Sequence, residues 1–357
     1  MRTTKLMAGA LTLLVLVGGA AAAETVQSSE GTVYTLPANV SRIEEYAFDG
    51  DGELREIRIP EGVTEIGDYA FANCWYLTEI TIPESVTKIG AHAFDSCVSL
   101  KTVQLSDNIT EMGESAFYRC LSLPEITLPA SLTGISAHMF ENCEKLVTVG
   151  KIGNLTRLPN EVFRECKALA NVTLPDTMET IGTAAFKHCY GLPEIVIPDS
   201  VTTIEEEAFS GCTSLQEIIV PDSVVKMGNH VFGGCRSATR IVFPKYLTYL
   251  PGYGVSFCNY MVEFVFPENV KSISDYFFYG CISLKEIVIP DTVTTIDFRA
   301  FWDCTSLTRI TIPASVTKID STAFDGCKKD KLVWVVTPGS YAETYAKKNY
   351  YHYTYAK

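Results

Sequence analysis

Residues 77–97 read LTEITIPESVTKIGAHAFDSC, and residues 98–120 read VSLKTVQLSDNITEMGESAFYRC, so the two stretches follow one plan and both end on cysteine. The same plan continues along most of the 357-residue chain. A fixed period of about 20 to 29 residues, with leucine or isoleucine at set places, is typical of a leucine-rich-repeat solenoid. Cysteine returns at every 23rd position, twelve times in all: Cys74, Cys97, Cys120, Cys143, Cys166, Cys189, Cys212, Cys235, Cys258, Cys281, Cys304 and Cys327.

The repeat unit is C-x-x-L-x-x-I-x-I-P-x-S-V-T-x-I-G-x-x-A-F-x-x, and its columns have separate structural roles. Ile80 and Ile82 alternate with polar residues, which predicts a short strand with one buried face. Pro83 ends that strand, because proline has no N–H to donate to a sheet. The segment from Ile89 to Phe94 predicts a one-turn helical piece on the convex side. The recurring phenylalanine predicts a buried stack of rings.

One unit cannot bury both its strand face and its phenylalanine, so neighbouring coils must stack to close the core. The sequence therefore predicts a single-domain α/β repeat solenoid, with a parallel sheet on the concave face and short helical turns on the convex face. It spans residues 24–336 in about thirteen 23-residue coils. Residues 337–357 are predicted to form a C-terminal capping helix and tail, with Ser340 as the N-cap. One face of that helix carries Tyr341, Ala342, Tyr345 and Ala346.

Residues 1–23 predict a secretory signal peptide, because Arg2 and Lys5 precede an apolar run at 11–17 and an Ala-Ala-Ala triplet at 21–23. The run is shorter than the ~20 residues of a spanning helix, so membrane insertion is not expected. The formal net charge is −13. A chain this acidic is expected to repel nucleic acid, whose phosphates attract clustered Lys and Arg. The signal peptide therefore predicts that the mature chain is exported from the cell.

The repeat unit and the tail GSYAETYAKK, residues 339–348, resemble the BspA-like leucine-rich repeats of bacterial surface and secreted proteins. The resemblance covers about residues 33 to 348. It implies a right-handed leucine-rich-repeat superhelix of horseshoe shape, display outside the cell, and binding or adhesion toward host or bacterial surfaces. It implies no catalytic residue. Two places depart from the pattern: Lys151 stands in the column of Ile82, and Gly254-Val255 replaces Ala-Phe.

Twelve cysteines in an exported chain raise the alternative of a disulfide framework. Equivalent side chains of stacked coils point in parallel, however, and this disfavours bridges between neighbours. We therefore predict a column of buried, reduced thiols that pack as small apolar groups. Neither a metal nor a cofactor is expected, because the sequence has no C-x-x-C pair and its five histidines are scattered.

The sequence contains no nucleophile elbow, zinc-protease, Walker or dinucleotide-binding motif. His188 and Cys189 are neighbours and suggest a Cys–His pair. Cys189 belongs to the buried column, so we predict that it is inert. No catalytic residue is therefore predicted, and the protein is not expected to be an enzyme.

The concave face carries the main candidate site. Its exposed central column is aliphatic over five consecutive coils, and a mostly acidic column runs beside it. An apolar strip rimmed by acids is typical of a recognition surface, although β-branched residues also simply favour strands. Glutamates on adjacent coils repel one another, and a basic partner would relieve that repulsion. The candidate protein-binding residues are Glu194, Val196, Glu217, Ile219, Arg240, Val242, Glu263, Val265, Glu286 and Val288.

A second candidate lies where the repeat degrades to PGYGVSF at residues 251–257. Broken local rules often mark functional sites, and exposed aromatic rings can stack on sugars. Ordinary repeat decay with a local kink is the alternative. The residues concerned are Tyr246, Tyr249, Tyr253 and Tyr260. The segment VGKIGNLTRLP at 149–159 separately predicts a shifted or bulged strand around Lys151.

The sequence thus predicts an exported bacterial protein that binds an extracellular protein through its concave sheet, in adhesion or in contact with host or matrix. A glycan is the alternative ligand. An envelope-associated structural scaffold without a dedicated ligand is the competing function. The oligomeric state is left open.

Overall fold

The computed structural model of the protein describes residues 24–28, 31–150 and 152–356. The predicted signal peptide at 1–23 and the irregular Lys151 lie outside the described residues. The chain divides into two compact units, one up to Phe140 and one from Glu141 onward. Each unit is built from the 23-residue coil.

The first unit contains short strands at intervals set by the repeat. In chain order they are β1 (Glu24–Ser28), β2 (Gly31–Thr35), β3 (Arg42–Ile43), β4 (Leu54–Arg58), β5 (Glu65–Ile66), β6 (Glu79–Thr81), β7 (Lys88–Ile89), β8 (Thr102–Gln104), β9 (Glu111–Met112) and β10 (Glu125–Ile126).

The second unit continues the same alternation and ends with a helix between two strands. Its elements are β11 (Thr148–Val149), β12 (Arg157–Leu158), β13 (Thr180–Ile181), β14 (Thr203–Ile204), β15 (Glu217–Ile219), β16 (Lys226–Met227), β17 (Arg240–Val242), β18 (Glu263–Val265), β19 (Ser272–Ile273), β20 (Glu286–Val288), β21 (Thr295–Ile296), β22 (Arg309–Ile312), β23 (Lys318–Ile319), β24 (Val333–Val336), α1 (Tyr341–Lys348) and β25 (His352–Tyr355).

A typical coil contributes to two separate parallel sheets. First-column strands, which precede the proline in most coils, form the sheets β2-β4, β6-β8, β15-β17-β18 and β20-β22-β24, and the tail strand β25 extends the last of these. Second-column strands, which follow the turn after the proline, form β3-β5-β7-β9, β12-β13-β14-β16 and β19-β21-β23. Most parallel pairs join residues 23 positions apart, as in Glu65 with Lys88. The predicted parallel-strand solenoid is therefore confirmed within each unit. Only the hairpin β1-β2 is antiparallel among these described pairs.

The predicted helical turns after the second-column strand are not found among the described residues, and a series of tight turns takes their place. Tyr69, Phe71 and Asn73 each donate a backbone N–H to the carbonyl 22 residues further along, at 2.7–2.9 Å. Tyr69 and Asn73 adopt left-handed φ values of 54° and 58°. An α-helix would direct these N–H groups to its own carbonyls. Left-handed residues two positions before and after Phe71 instead allow every second N–H to point toward the next coil, so the turns bond the stack together.

The phenylalanine column forms the predicted buried stack. Phe71, Phe94 and Phe117 are fully buried. Their ring centroids are 5.3 and 5.2 Å apart, and their planes lie within 10° of parallel. Stacked rings of this kind bury a large apolar area in each coil. The column therefore supplies the continuous core that a lone coil lacks.

All twelve cysteines are buried, reduced thiols. Cys97 Sγ donates to the carbonyl of Phe71 at 3.2 Å, and Cys212 Sγ donates to that of Phe186 at 3.1 Å. Burial raises the pKa of the Cys212 thiol to about 12. The thiols therefore act both as core side chains and as weak hydrogen-bond donors between coils.

The C-terminal helix α1 begins as predicted at Ser340, whose hydroxyl accepts the N–H of Glu343 at 3.2 Å. Ala342, Tyr345 and Ala346 are buried. Tyr341, placed on the same face by the sequence, is 42% exposed. The tail then forms β25, which pairs in parallel with β24. The segment therefore adds one further strand to the sheet after covering the core.

Candidate functional site

Eight of the ten predicted binding residues lie on one face of the first-column strands, here called the strand face. In β15, Ile218 is buried while Glu217 and Ile219 on either side are exposed. Strands β15, β17 and β18 pair in register, so equivalent residues line up across the sheet. The period-2 pattern thus produces two parallel outward columns.

The aliphatic column is solvent-accessible and is called the apolar strip: Val196, Ile219, Val242, Val265 and Val288. Val196 is 81% exposed, Ile219 54% and Val288 66%. Val242 and Val265 are half-buried. Large aliphatic side chains held in water in one column form a surface that gains free energy when a partner covers it.

The acidic column is partly neutralised from within the chain. Arg240 Nη1 lies 2.7 Å from Glu217 Oε1, and Arg240 Nε lies 3.1 Å from Glu263 Oε1. These hydrogen bonds, first to Glu217 and then to Glu263, raise the pKa of the Arg240 guanidinium. The predicted repulsion between stacked glutamates is therefore relieved in the middle of the strip without a partner.

The structure does not place all ten predicted residues in one continuous sheet. The six that belong to β15, β17 and β18 are hydrogen-bonded neighbours. Glu194 and Val196 belong to no strand. Pro193 precedes them and has no N–H to donate to the preceding coil. Glu286 and Val288 begin the next sheet, since β18 and β20 do not pair.

Aromatic packing coincides with the break between β18 and β20. Phe264 replaces the usual isoleucine in β18, and its ring packs edge-on against Phe277 and Phe278 at 5.3 and 5.1 Å. An aromatic ring is wider than the aliphatic side chain that it replaces. We therefore attribute the lost pairing to the room that this ring takes between the two coils.

The four tyrosines of the second candidate do not form one cluster. No ring contact joins any two of them among the described residues. Tyr246 and Tyr260 are 57% and 64% exposed. Tyr253 is stacked between His230 and Tyr276, with centroids 4.2 and 4.4 Å away. Tyr253 is therefore a member of a stacked ladder of rings on the turns.

Tyr249 has a structural role that the sequence did not reveal. Its hydroxyl donates to the carbonyl of Met227 and accepts the N–H of the same residue, each at 2.8 Å. Met227 ends β16, and the next coil contributes no second-column strand at residues 249–250. The phenol therefore satisfies both backbone groups that a neighbouring strand would have paired.

A cavity of 440 Å³ in the first unit was missed by the sequence reasoning. It is lined by Gly90, Gly113 and Ser136 together with residues of β7 and β9. A Cβ atom on Gly113 would lie 2.3 Å from the nitrogen of Ala91, so this column needs glycine for close approach. Ser136 stands in the same column, its coil forms no second-column strand, and its hydroxyl bonds to Met112 O at 2.8 Å. A serine at a position that is glycine in the neighbouring coils is the sequence signal that could have predicted this cavity.

A second cavity, of 320 Å³, opens on the strand face of the first unit. Residues of β4, β6 and β8 line it, including Arg58, Glu79 and Gln104. Its lining is polar and charged, in contrast to the apolar strip of the second unit.

The structure places Cys189 and His188 in different interactions. The Cys189 thiol is buried and donates to the carbonyl of Phe163 at 3.1 Å. Burial raises the pKa of this thiol well above its ordinary value. His188 Nδ1 lies 2.5 Å from Glu165 Oε1. Within either unit taken by itself, the described residues contain no group of three side chains able to hold a metal ion.

Comparisons with known proteins agree on the repeat. A model of the BspA type leucine rich repeat region matches residues 26–147, 146–261 and 253–346. No curated protein matches the chain. Among the residues that the structure describes, no helix has the length and apolar character needed to cross a membrane.

Several solved structures are similar over most of the chain. A leucine-rich repeat protein from Bacteroides ovatus is 28% identical, covers 91% of this chain and 84% of its own, and gives a TM-score of 0.71. A leucine rich cell surface protein from Faecalibacterium prausnitzii is also 28% identical, with 91% and 95% covered and a TM-score of 0.55. A leucine-rich repeat protein from Eubacterium ventriosum is 25% identical, with 85% and 92% covered and a TM-score of 0.54. Together with the family match, which spans nearly all of the described chain, these likenesses show that the protein belongs to the BspA type leucine rich repeat family.

Proposed function

We propose that this protein is displayed outside a bacterial cell and binds another protein through the apolar strip. The observation that carries the proposal is the exposure of Val196, Ile219 and Val288, which stand in one column of the repeat. Leaving such side chains in water costs free energy that a protein partner would recover on binding. The similar protein from Faecalibacterium prausnitzii, described as a cell surface protein, supports the location.

Adhesion fits this arrangement because the strip spreads over several coils. A surface built from repeated coils can contact an extended epitope without a deep pocket. We infer a binding role rather than catalysis, since the residues of the strip carry no nucleophile and no acid–base pair. A glycan partner is the alternative ligand, and an envelope scaffold without a ligand is the alternative function.

Binding of the purified protein to immobilised matrix proteins, mucin and a glycan array tests the proposal. We expect saturable binding to at least one protein surface. The double variant Val196→Glu with Ile219→Glu should weaken that binding about tenfold or more, because it places charge on the most exposed part of the strip. Both side chains lie in solvent, so the variant is expected to fold.

A matched control uses Val225→Glu with Ile282→Glu, which are 62% and 43% exposed and lie outside the strip. This control should bind like the wild type. Binding to glycans alone would indicate that the ligand is a glycan and not a protein. A protein that binds none of these surfaces would favour the scaffold. Fractionation of cells into medium, envelope and cytosol tests the location.

A further inference from the structure

The apolar strip is bordered by two columns of charged residues whose signs follow one order. The first rim is Glu194, Glu217, Arg240, Glu263 and Glu286. The second rim follows the proline of each coil and is Asp199, Asp222, Lys245, Glu268 and Asp291. Eight of these ten positions are therefore acidic, and both basic residues belong to the middle coil.

The middle coil partly neutralises the acids of the coils on either side of it. Arg240 bridges Glu217 and Glu263. Lys245 Nζ lies 3.4 Å from Glu268 Oε1, and the Lys245 backbone N–H donates to Asp222 Oδ1 at 2.8 Å. The three central coils therefore set two cations against four acids, whereas each of the two outer coils has two acids and no cation.

The two outer coils keep their charge. Glu194 and Asp199 at one end, and Glu286 and Asp291 at the other, make no ion pair with any residue that the structure describes. Arg309 is in register with Glu286, but no ion pair forms between them. The ends lie four coils apart, which is about 19 Å at the usual strand spacing of ~4.8 Å.

The direction of the strip favours a helix as the bound element. The strip crosses the strands, and its side chains repeat every ~4.8 Å. A helix laid along it presents one side of each turn every ~5.4 Å, whereas an extended strand presents same-face residues every ~6.6 Å. A strand lying on this face would also leave its own N–H and C=O groups against apolar side chains, while a helix satisfies them internally.

We infer that the strip binds one amphipathic helix of a partner protein, with an apolar stripe at its centre and Lys or Arg near each end. A separation of about 19 Å corresponds to roughly 13 helical residues between the two basic positions. The inference rests on the proposed function, because it specifies the partner of the same strip. Cations at the ends would meet the unpaired acids, and apolar residues would cover the strip between them.

Three synthetic helical peptides of equal composition test this inference directly. The first has a leucine stripe with a lysine pair at each end, 13 residues apart. The second has the same lysines moved to the middle, and the third has the same residues in scrambled order. Fluorescence anisotropy with the full-length protein should give the tightest binding for the first peptide, by about tenfold over the second. Equal affinity for all three, or no binding of the first, would overturn the inference.

Variants of the protein separate this inference from the proposed function. Neutralising the outer acids, by Glu194→Gln, Asp199→Asn, Glu286→Gln and Asp291→Asn together, should weaken the first peptide about tenfold. The matched control neutralises four exposed acids of the first unit without ion pairs, by Glu53→Gln, Asp107→Asn, Glu114→Gln and Glu125→Gln. The control should change the affinity by less than about twofold.

The two hypotheses fail in different ways. In one outcome, binding of a protein ligand is lost with Val196→Glu and Ile219→Glu, yet is unaffected by neutralisation of the outer acids and by competition with the first peptide. That result would reject the helix and keep the strip as a protein-binding site. A ligand unaffected by both sets of variants would reject the strip itself. Competition by the first peptide, together with sensitivity to both sets, supports both.

Discussion

A Cβ atom placed on Gly254 would lie 2.5 Å from Cε2 of Phe277, so the smallest residue and one of the largest meet in consecutive coils. Both stand in the column that usually holds alanine. Val255 replaces the column phenylalanine beside Gly254, and the rings of Phe264 and Phe277 pack edge-on at 5.3 Å. The aromatic volume lost at Val255 is therefore supplied by rings from the following coil.

This relationship predicts a compensating pair of substitutions. Gly254→Ala should lower the free energy of unfolding by about 1–3 kcal/mol, because the new methyl group meets the Phe277 ring. In a Phe277→Ala background the same change should cost much less. Urea denaturation of the four proteins in a double-mutant cycle measures the coupling. Gly52→Ala is the control, since no atom lies within 4 Å of its Cβ position; additive effects at 254 and 277 would contradict the packing.

The thiol column predicts a sharp loss of stability at alkaline pH. Burial raises the pKa of ten of the twelve thiols above the ordinary value of 9.0. A raised pKa means that this stabilisation is complete below about pH 9 and is lost as the pH rises above it. Above pH 9, each thiol that stays protonated in the folded protein lowers the free energy of unfolding by about 1.4 kcal/mol per pH unit.

Urea denaturation at pH 7.5, 9 and 10 measures this loss, and Ellman's reagent counts the thiols. We expect little reaction in the native protein at pH 7.5 and nearly twelve reactive thiols after denaturation. Rapid reaction of the native protein would show that the column is open to solvent. An unfolding free energy that is constant to pH 10 would show that the thiols are not held in their neutral form.

Tyr249→Phe separates a structural from a ligand-binding role for the second candidate. The variant removes the hydroxyl that bonds to both backbone groups of Met227. It should lower the free energy of unfolding by about 1–3 kcal/mol, because those buried groups lose their partner. Ligand binding should be unchanged. Tyr246→Phe, at an exposed ring, is the control and should leave stability within about 0.5 kcal/mol of the wild type.

Glu343 predicts a loss of stability in acid. Hydrogen bonds from Lys347, then from the Gly339 N–H and the Tyr355 hydroxyl, lower the pKa of its carboxyl to about 2 from an ordinary value of 4.5. A lowered pKa stabilises the fold above about pH 4.5, and that stability is lost as the pH falls toward 2. Glu343→Gln should therefore have a lower Tm than the wild type at pH 7, with a difference that shrinks by pH 2.5. Glu125→Gln, an exposed acid, should show no such convergence.

The columns of the repeat were predictable because each column meets the same packing requirement in every coil. A cysteine and a phenylalanine at 23-residue intervals indicate a stacked core, and both columns are buried as expected. The alternation of exposed Glu217, buried Ile218 and exposed Ile219 follows from the two-residue period of a strand. The predicted N-cap at Ser340 depends only on local chemistry and is confirmed.

The turns could not be recognised as easily, because the bonds that shape them come from the next coil. Left-handed φ values at Tyr46 and Tyr69 are not favoured by their residue type. The position before the cysteine did carry a signal: it holds glycine in four coils and asparagine in two, and these residues adopt positive φ readily. The structural role of Tyr249 could not be predicted, because its partner, Met227, lies 22 residues away and bonds through its backbone groups.

The exchange of backbone N–H groups between successive turns limits how such a chain can change its length. Inserting a single residue into one coil would shift every donor past its acceptor and move the buried cysteine and phenylalanine out of line at once. Adding or removing a complete 23-residue unit preserves every pairing. A lineage of such proteins is therefore expected to gain and lose reach in whole coils, by tandem duplication and deletion, while its individual coils diverge by substitution.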